Sequence, residues 1–160
     1  SFTTLVRQLS ERDLARTVQR FEALATDVVT AHGGRVVKTV GDEVLFSTRT
    51  PAPGAAIALD LVDALAEDEV LPDLRVGVSF GTVVSRLGDV FGTTVNRAAR
   101  LTALAHPNAV LVDGPLATAL TSQSGFRLTA MRRRTLRGVG SVTPHVLART
   151  STPTRRGRYE

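Results

Sequence analysis

The feature that most constrains this chain is the order in which its apolar positions switch between a helical period and a strand period. From Ser10 to Ala31, Leu14, Val18, Phe21, Leu24, Ala25 and Val28 recur at helical spacing, with Ser10 placed to cap the helix and Asp13 three residues on. His32-Gly33-Gly34 ends it. Two β-branched runs, Arg35–Val40 and Glu43–Ser47, flank Gly41-Asp42 and predict a tight hairpin. Thr48–Gly54, with two prolines, reads as a loop, and Ala55–Glu67 as a second helix. Leu74–Phe80 and Thr82–Leu87 read as strands hinged at Gly81, and Gly88–Gly92 as a turn. Val95–Ala105 reads as a third helix stopped by His106-Pro107. A short buried strand (Ala109–Val112), a short helix (Pro115–Leu120) and strands at Phe126–Met131, Thr135–Leu136 and Val142–Ala148 follow. The order predicts an α+β sandwich, a mostly antiparallel sheet with helices packed on one face.

With 160 residues the chain suits one domain, expected over 1–150, followed by a basic C-terminal tail at 151–160. No apolar run approaches the roughly 18 residues of a membrane span, and no charged-then-apolar leader is present, so a cytoplasmic domain is expected. Cysteine is absent, which removes disulfides, thiolate metal sites and cysteine nucleophiles. The single methionine is Met131, so the sequence reads as a piece of a longer protein.

Net charge is +5 and unevenly spread. After Asp113 the only acid is Glu160, whereas nine arginines follow, from Arg127 to Arg158. A basic end suggests a polyanionic partner, either a nucleic acid or a nucleotide's phosphates. Aromatic residues are only 4%, and none interleaves with Arg132–Arg134, so a stacking platform for nucleic acid is not expected. Of the 20 basic residues, 19 are arginine and one is lysine, Lys38.

Polar residues that neither core nor surface demands gather in three places. One is the hairpin Lys38-Thr39-Val40-Gly41-Asp42-Glu43, and another is Ser1-Phe2-Thr3. The third runs from Gly88-Asp89 through Gly92 to Arg100; there Asn96 and Arg100 stand four apart on one helical face. A glycine-rich turn feeding a helix N-terminus is where backbone N–H groups meet phosphates, although no Walker or Gly-x-Gly-x-x-Gly pattern is present.

Ser1-Phe2-Thr3, HGGRVVKTVGDEVLF, LRVGVSFGTVV and GDVFGTTVNRAARL, in this order and spacing, resemble the catalytic domain of class III nucleotidyl cyclases, most nearly the actinobacterial adenylate cyclases. The resemblance spans Ser1 to about Ala148 and implies a ferredoxin-like core. It implies an adenylate cyclase, a phosphorus–oxygen lyase that converts ATP to 3′,5′-cyclic AMP and pyrophosphate. By matched position it makes Asp42 a ligand of a Mg²⁺ or Mn²⁺ pair and puts Phe2 and Thr3 in the loop around the triphosphate. Lys38 and Asp89 become the adenine readers, Asn96 the residue that orients the ribose, and Arg100 the one that meets charge at the α-phosphate. Arg75 and Arg137 become triphosphate contacts. A homodimer with two shared active sites is implied as well.

Two departures stand out. The family's first metal aspartate would lie three residues before Ser1, so the first strand is expected to be truncated in this sequence. Arg97 occupies a position that is more often apolar in the family. The missing aspartate keeps open a nucleotide-binding or regulatory module without turnover. A guanylate cyclase is disfavoured by Lys38 and Asp89.

Overall fold

The computed structural model describes residues 10–150. Helix α1 (Glu11–Ala31) starts where the Ser10 side chain accepts the Asp13 N–H, and it buries Thr17, Phe21, Ala25 and Val29. The hairpin of β1 (Arg35–Val40) and β2 (Glu43–Ser47) follows. It turns at Gly41, whose φ of +58° is one that side-chain-bearing residues disfavour. Helix α2 (Pro51–Glu67) begins at Pro51, not at Ala55 as expected. Prolines in the first turn lack only N–H groups that have no helical partner there, and their fixed φ already suits a helix.

Strands β3 (Arg75–Val78), β4 (Val84–Arg86) and β5 (Asp89–Phe91) lead into α3 (Thr93–Leu104). The segment read as a turn at Gly88–Gly92 is therefore largely strand β5, which pairs with β4 in the register Val84↔Phe91 to Arg86↔Asp89. The turn proper is Leu87-Gly88. Strand β6 (Ala109–Val112), helix α4 (Gly114–Leu120) and strand β7 (Phe126–Ala130) come next. Strands β8 (Arg134–Leu136), β9 (Gly140–Val142) and β10 (His145–Arg149) complete the described chain. The run expected as one strand over Val142–Ala148 is split at Pro144, which has no N–H to donate and whose carbonyl accepts from Met131 instead.

The central sheet has the order β3-β6-β10-β7, with β3 parallel to β6 and the other pairs antiparallel. Among the described residues three two-stranded hairpins accompany it, so antiparallel pairing predominates and the α+β sandwich holds. Its helices, however, form two layers and not one. Val76, Val110, Val112 and Leu147 pack with α2 and α4 through Ala58, Val62, Leu116 and Leu120. Leu111 and Val146, the alternate residues, pack with Leu101 and Ala105 of α3 and its C-terminal end. A run such as Ala109–Val112, apolar without alternation, is what a strand covered on both faces requires. Each fully buried leucine here contributes about 1.5–3 kcal/mol relative to exposure.

Gly77 sets how closely α3 approaches the sheet. A Cβ placed there would lie 2.3 Å from the Thr102 nitrogen and 2.5 Å from the Ala98 carbonyl oxygen.

Candidate active site

The first part of the site depends on an irregularity in β1. Val36 pairs with Phe46 but Lys38 pairs with Leu45, so Val37 is an extra residue bulged out of the ladder. Val36, Val44 and Phe46 pack toward α1 and α2. Regular alternation from Val36 would send Lys38 to that same face. The bulge turns it to the opposite face, where the β4–β5 hairpin lies. There the Lys38 Nζ donates to Asp89 Oδ2 at 2.9 Å, and Arg35, on the same face, donates to the Gly88 carbonyl at 3.3 Å. The hydrogen bond from Lys38, and then the N–H of Val90, hold the Asp89 carboxyl below the usual carboxylate range. Neither side chain is buried, so a ligand can reach both.

The second part is the exposed side of α3. The helix starts at Gly92, which offers no side-chain cap, and its first two turns contain no buried residue. Asn96 and Arg100 line a cavity of about 430 Å³ together with Ala99 and, from the β8–β9 turn, Arg137 and Gly138. The Arg100 Nε donates to the Arg137 carbonyl at 3.1 Å, which pins the guanidinium while leaving its terminal nitrogens for a ligand. Three arginine- or amide-bearing positions singled out from the sequence thus come together in one polar cavity suited to an anion.

Asp42 lies at the exposed β1–β2 tip, with no ion-pair partner among the described residues. Its oxygens are of the hard type that Mg²⁺ or Mn²⁺ takes. No group of three His, Cys, Asp or Glu residues converges among the described residues, so Asp42 offers one ligand and not a full set. Arg75 is exposed at the start of β3 and does not line the cavity. Phe2 and Thr3 lie outside the described residues, as does the tail 151–160.

Arg97 acquires a physical role that the sequence reading did not supply. Its Nη1 lies 2.9 Å from Oδ2 of Asp113, a carboxylate with no solvent exposure. Asp113 caps α4 by accepting from the Leu116 N–H at 2.9 Å, and it also accepts from the Phe80 N–H at 3.3 Å. The signal was present in Asp113-Gly114-Pro115, since an aspartate just before a helix-starting proline is an N-cap pattern.

A polar cavity with two arginines and, on β1 and β5, an accessible donor–acceptor pair together fit a phosphate-bearing base, the class of ligand a nucleotide enzyme handles. Residues 1–149 match the family model described as the adenylate and guanylate cyclase catalytic domain. An adenylate cyclase from Glutamicibacter nicotianae is 49% identical over 148 residues, covering 92% of this chain and 37% of that protein. One from Streptomyces coelicolor is 43% identical over 174 residues, covering 92% and 46%. The solved adenylate/guanylate cyclase/hydrolase from Silicibacter pomeroyi superposes with a TM-score of 0.75 at 25% identity, covering 88% of each chain. The chain belongs to the adenylate and guanylate cyclase catalytic domain family. It spans less than half the length of those two curated relatives.

Proposed function

We propose that this domain is an adenylate cyclase that converts ATP to 3′,5′-cyclic AMP and pyrophosphate. The observation that carries this reading is the contact between Lys38 and Asp89, a hydrogen-bond donor and an acceptor 2.9 Å apart on an accessible face. Adenine presents an acceptor at N1 and a donor at N6, which a lysine and an aspartate complement. Guanine presents the reverse at those positions. The relatives named adenylate cyclase support the same base choice.

In the reaction the ribose 3′-oxygen forms a bond to the α-phosphorus, in line with the bond to the β-phosphate, which breaks to release pyrophosphate. Asn96 orients the ribose, and Arg100 meets the charge that builds on the α-phosphate oxygens. A well-aimed donor of that kind is worth about 3 kcal/mol. Arg137 grips the triphosphate from the β8–β9 turn, with Arg75, Phe2 and Thr3 as further contacts. A divalent ion, Mg²⁺ or Mn²⁺, held partly by Asp42, would lower the pKa of the attacking hydroxyl and neutralise phosphate charge.

Asp42 and the Asn96–Arg100 face lie on separate elements, which supports a homodimer whose two sites are each shared between subunits. The apolar residues left on the β4–β5 hairpin, Leu87 at 96% exposure with Val84 and Phe91, support a partner surface. No helix among the described residues is long and apolar enough to cross a membrane. A need for ATP supports a cytoplasmic location for the domain. The full-length protein, incubated with ATP and Mn²⁺ or Mg²⁺, is expected to form cyclic AMP and pyrophosphate in equal amounts by chromatography. Nucleotide binding without product would favour a regulatory module instead.

A further inference from the structure

We propose that Arg97, through its ion pair with Asp113, is a positioning residue that fixes the tilt of α3 and thereby the placement of Asn96. The proposal rests on the cyclase reading for its kinetic arm.

Helix α3 has one firm apolar anchor, Leu101, which is fully buried, with Gly77 allowing the backbone around Ala98 and Thr102 to lie against β3. One anchored region fixes where a helix sits but not its angle about that point. The functional half, Thr93 to Arg100, has no buried residue and no side-chain cap. Four polar ties hold it: Ser79 Oγ to the Thr94 carbonyl, Thr94 Oγ1 to the Thr82 carbonyl, Arg97 to Asp113, and, beside Leu101, Arg100 Nε to the Arg137 carbonyl in an exposed turn. Thr82 is in an exposed segment, and Ser79 leads into it. Asp113 is of another kind. It is completely buried, its N–H donates to the Val78 carbonyl, and its carboxylate holds Leu116 and Phe80. Arg97 therefore ties the catalytic half of α3 to the most rigid junction available, where β3, β6 and α4 meet.

Asn96 lies five residues from Leu101, about 7.5 Å along the axis. A tilt of roughly 10° about Leu101 moves Asn96 by about 1 Å, a misplacement that can cost on the order of 100-fold in rate. The backbone of Arg100, next to the pivot, moves hardly at all, and its guanidinium is held by the Arg137 carbonyl. Arg97 thus acts on the rate through Asn96 and not through Arg100.

The test uses the full-length protein. Arg97→Leu is expected to lower kcat at least ten-fold, while KM for ATP stays within about two-fold because Lys38 and Asp89 are untouched. In an Asn96→Ala background the same change should lower kcat less than two-fold; in an Arg100→Ala background it should keep its full effect. Since Arg97→Leu strands a buried charge, Arg97→Leu/Asp113→Asn is made beside it; the amide still accepts the Leu116 N–H. The double variant is expected to regain the melting temperature but not kcat, with faster amide exchange in Thr93–Arg100. Recovery of kcat along with stability overturns the proposal and leaves the pair with charge neutralisation alone. So does equal loss of kcat in the Asn96→Ala and Arg100→Ala backgrounds. If the wild type makes no cyclic AMP, the cyclase reading fails and exchange still decides: unchanged protection of α3 in the double variant overturns the brace.

Discussion

Gly77→Ala adds one carbon, and its consequence can be worked out from the packing of α3. The new Cβ would meet the Thr102 nitrogen at 2.3 Å, the Ala98 oxygen at 2.5 Å and the Leu101 carbonyl carbon at 2.8 Å, where ordinary contact begins near 3.4 Å. All three are backbone atoms, so no change of rotamer relieves the clash. Strand β3 is held in register by β6, from Arg75↔Ala109 to Val78↔Val112, so α3 has to give by about 1 Å. Overpacking of this kind costs about 1–3 kcal/mol. At 2–4 °C per kcal/mol for a domain of this size, the melting temperature should fall by roughly 2–12 °C. Asn96 and Arg100 ride on the displaced helix, so kcat should fall by one to two orders of magnitude. KM for ATP should change much less, because Lys38 and Asp89 lie on β1 and β5. Calorimetry and initial rates of cyclic AMP formation, measured well below the melting transition, read the two effects separately. Wild-type stability would refute the packing argument. Lowered stability with unchanged kcat would refute the link from α3 placement to catalysis.

Base selection should follow Lys38 and Asp89: Lys38→Glu with Asp89→Gly is expected to weaken ATP use and admit GTP, and an unchanged ATP preference would remove both as readers. The Asp89 carboxyl is held below 3.8, so its pairing contributes fully above that value and is lost as pH falls through the lower folded pKa. Lys38→Met should accordingly raise the Asp89 titration midpoint toward 3.8, as followed by carboxyl NMR, and an unmoved midpoint would show that the Lys38 bond is not its main cause. Asp42→Ala and Arg100→Ala should each abolish activity without lowering the melting temperature. When the two are mixed, about half the dimers should be heterodimers with one intact site, giving about a quarter of wild-type activity. No recovery at concentrations where dimers form would mean that each chain builds its own site.

Local chemistry made much of the fold legible. The α1 period, its Ser10 cap and the Gly41-Asp42 hairpin appear in the structure within a residue of their expected ends. What escaped depends on pairing at a distance. Asp89–Phe91 looks like a turn until Val84–Arg86 lies beside it, and Val37 looks like any strand residue until its partner strand is one residue short. Arg97 was an anomaly because its partner, Asp113, is 16 residues away on another element. The polar clusters around Lys38, Asp42, Asp89, Asn96 and Arg100 stood out from the residues alone, but the roles given to them came by resemblance, not by spacing. Geometry then joined Asn96, Arg100 and Arg137 around one cavity and left Arg75 outside it. Prolines misled once, at Pro51, where a residue that breaks helix interiors begins a helix.

The bulge at Val37 makes the length of a very short segment a matter of parity. Adding one codon between Leu45 and Phe46 would give Val37 a partner, restore regular alternation from the Val36↔Phe46 pair and aim the ammonium to the face of Val36 and Phe46, beneath α1 and α2. Nearly every substitution in the hairpin changes one contact, whereas that insertion exchanges the two faces of both strands from there to the tip. Divergence in this stretch should therefore run through replacement and not through changes in length. A descendant that gained the residue would need a new basic side chain one position away to face Asp89 again. Strand length here decides where the ammonium points as much as the lysine itself does.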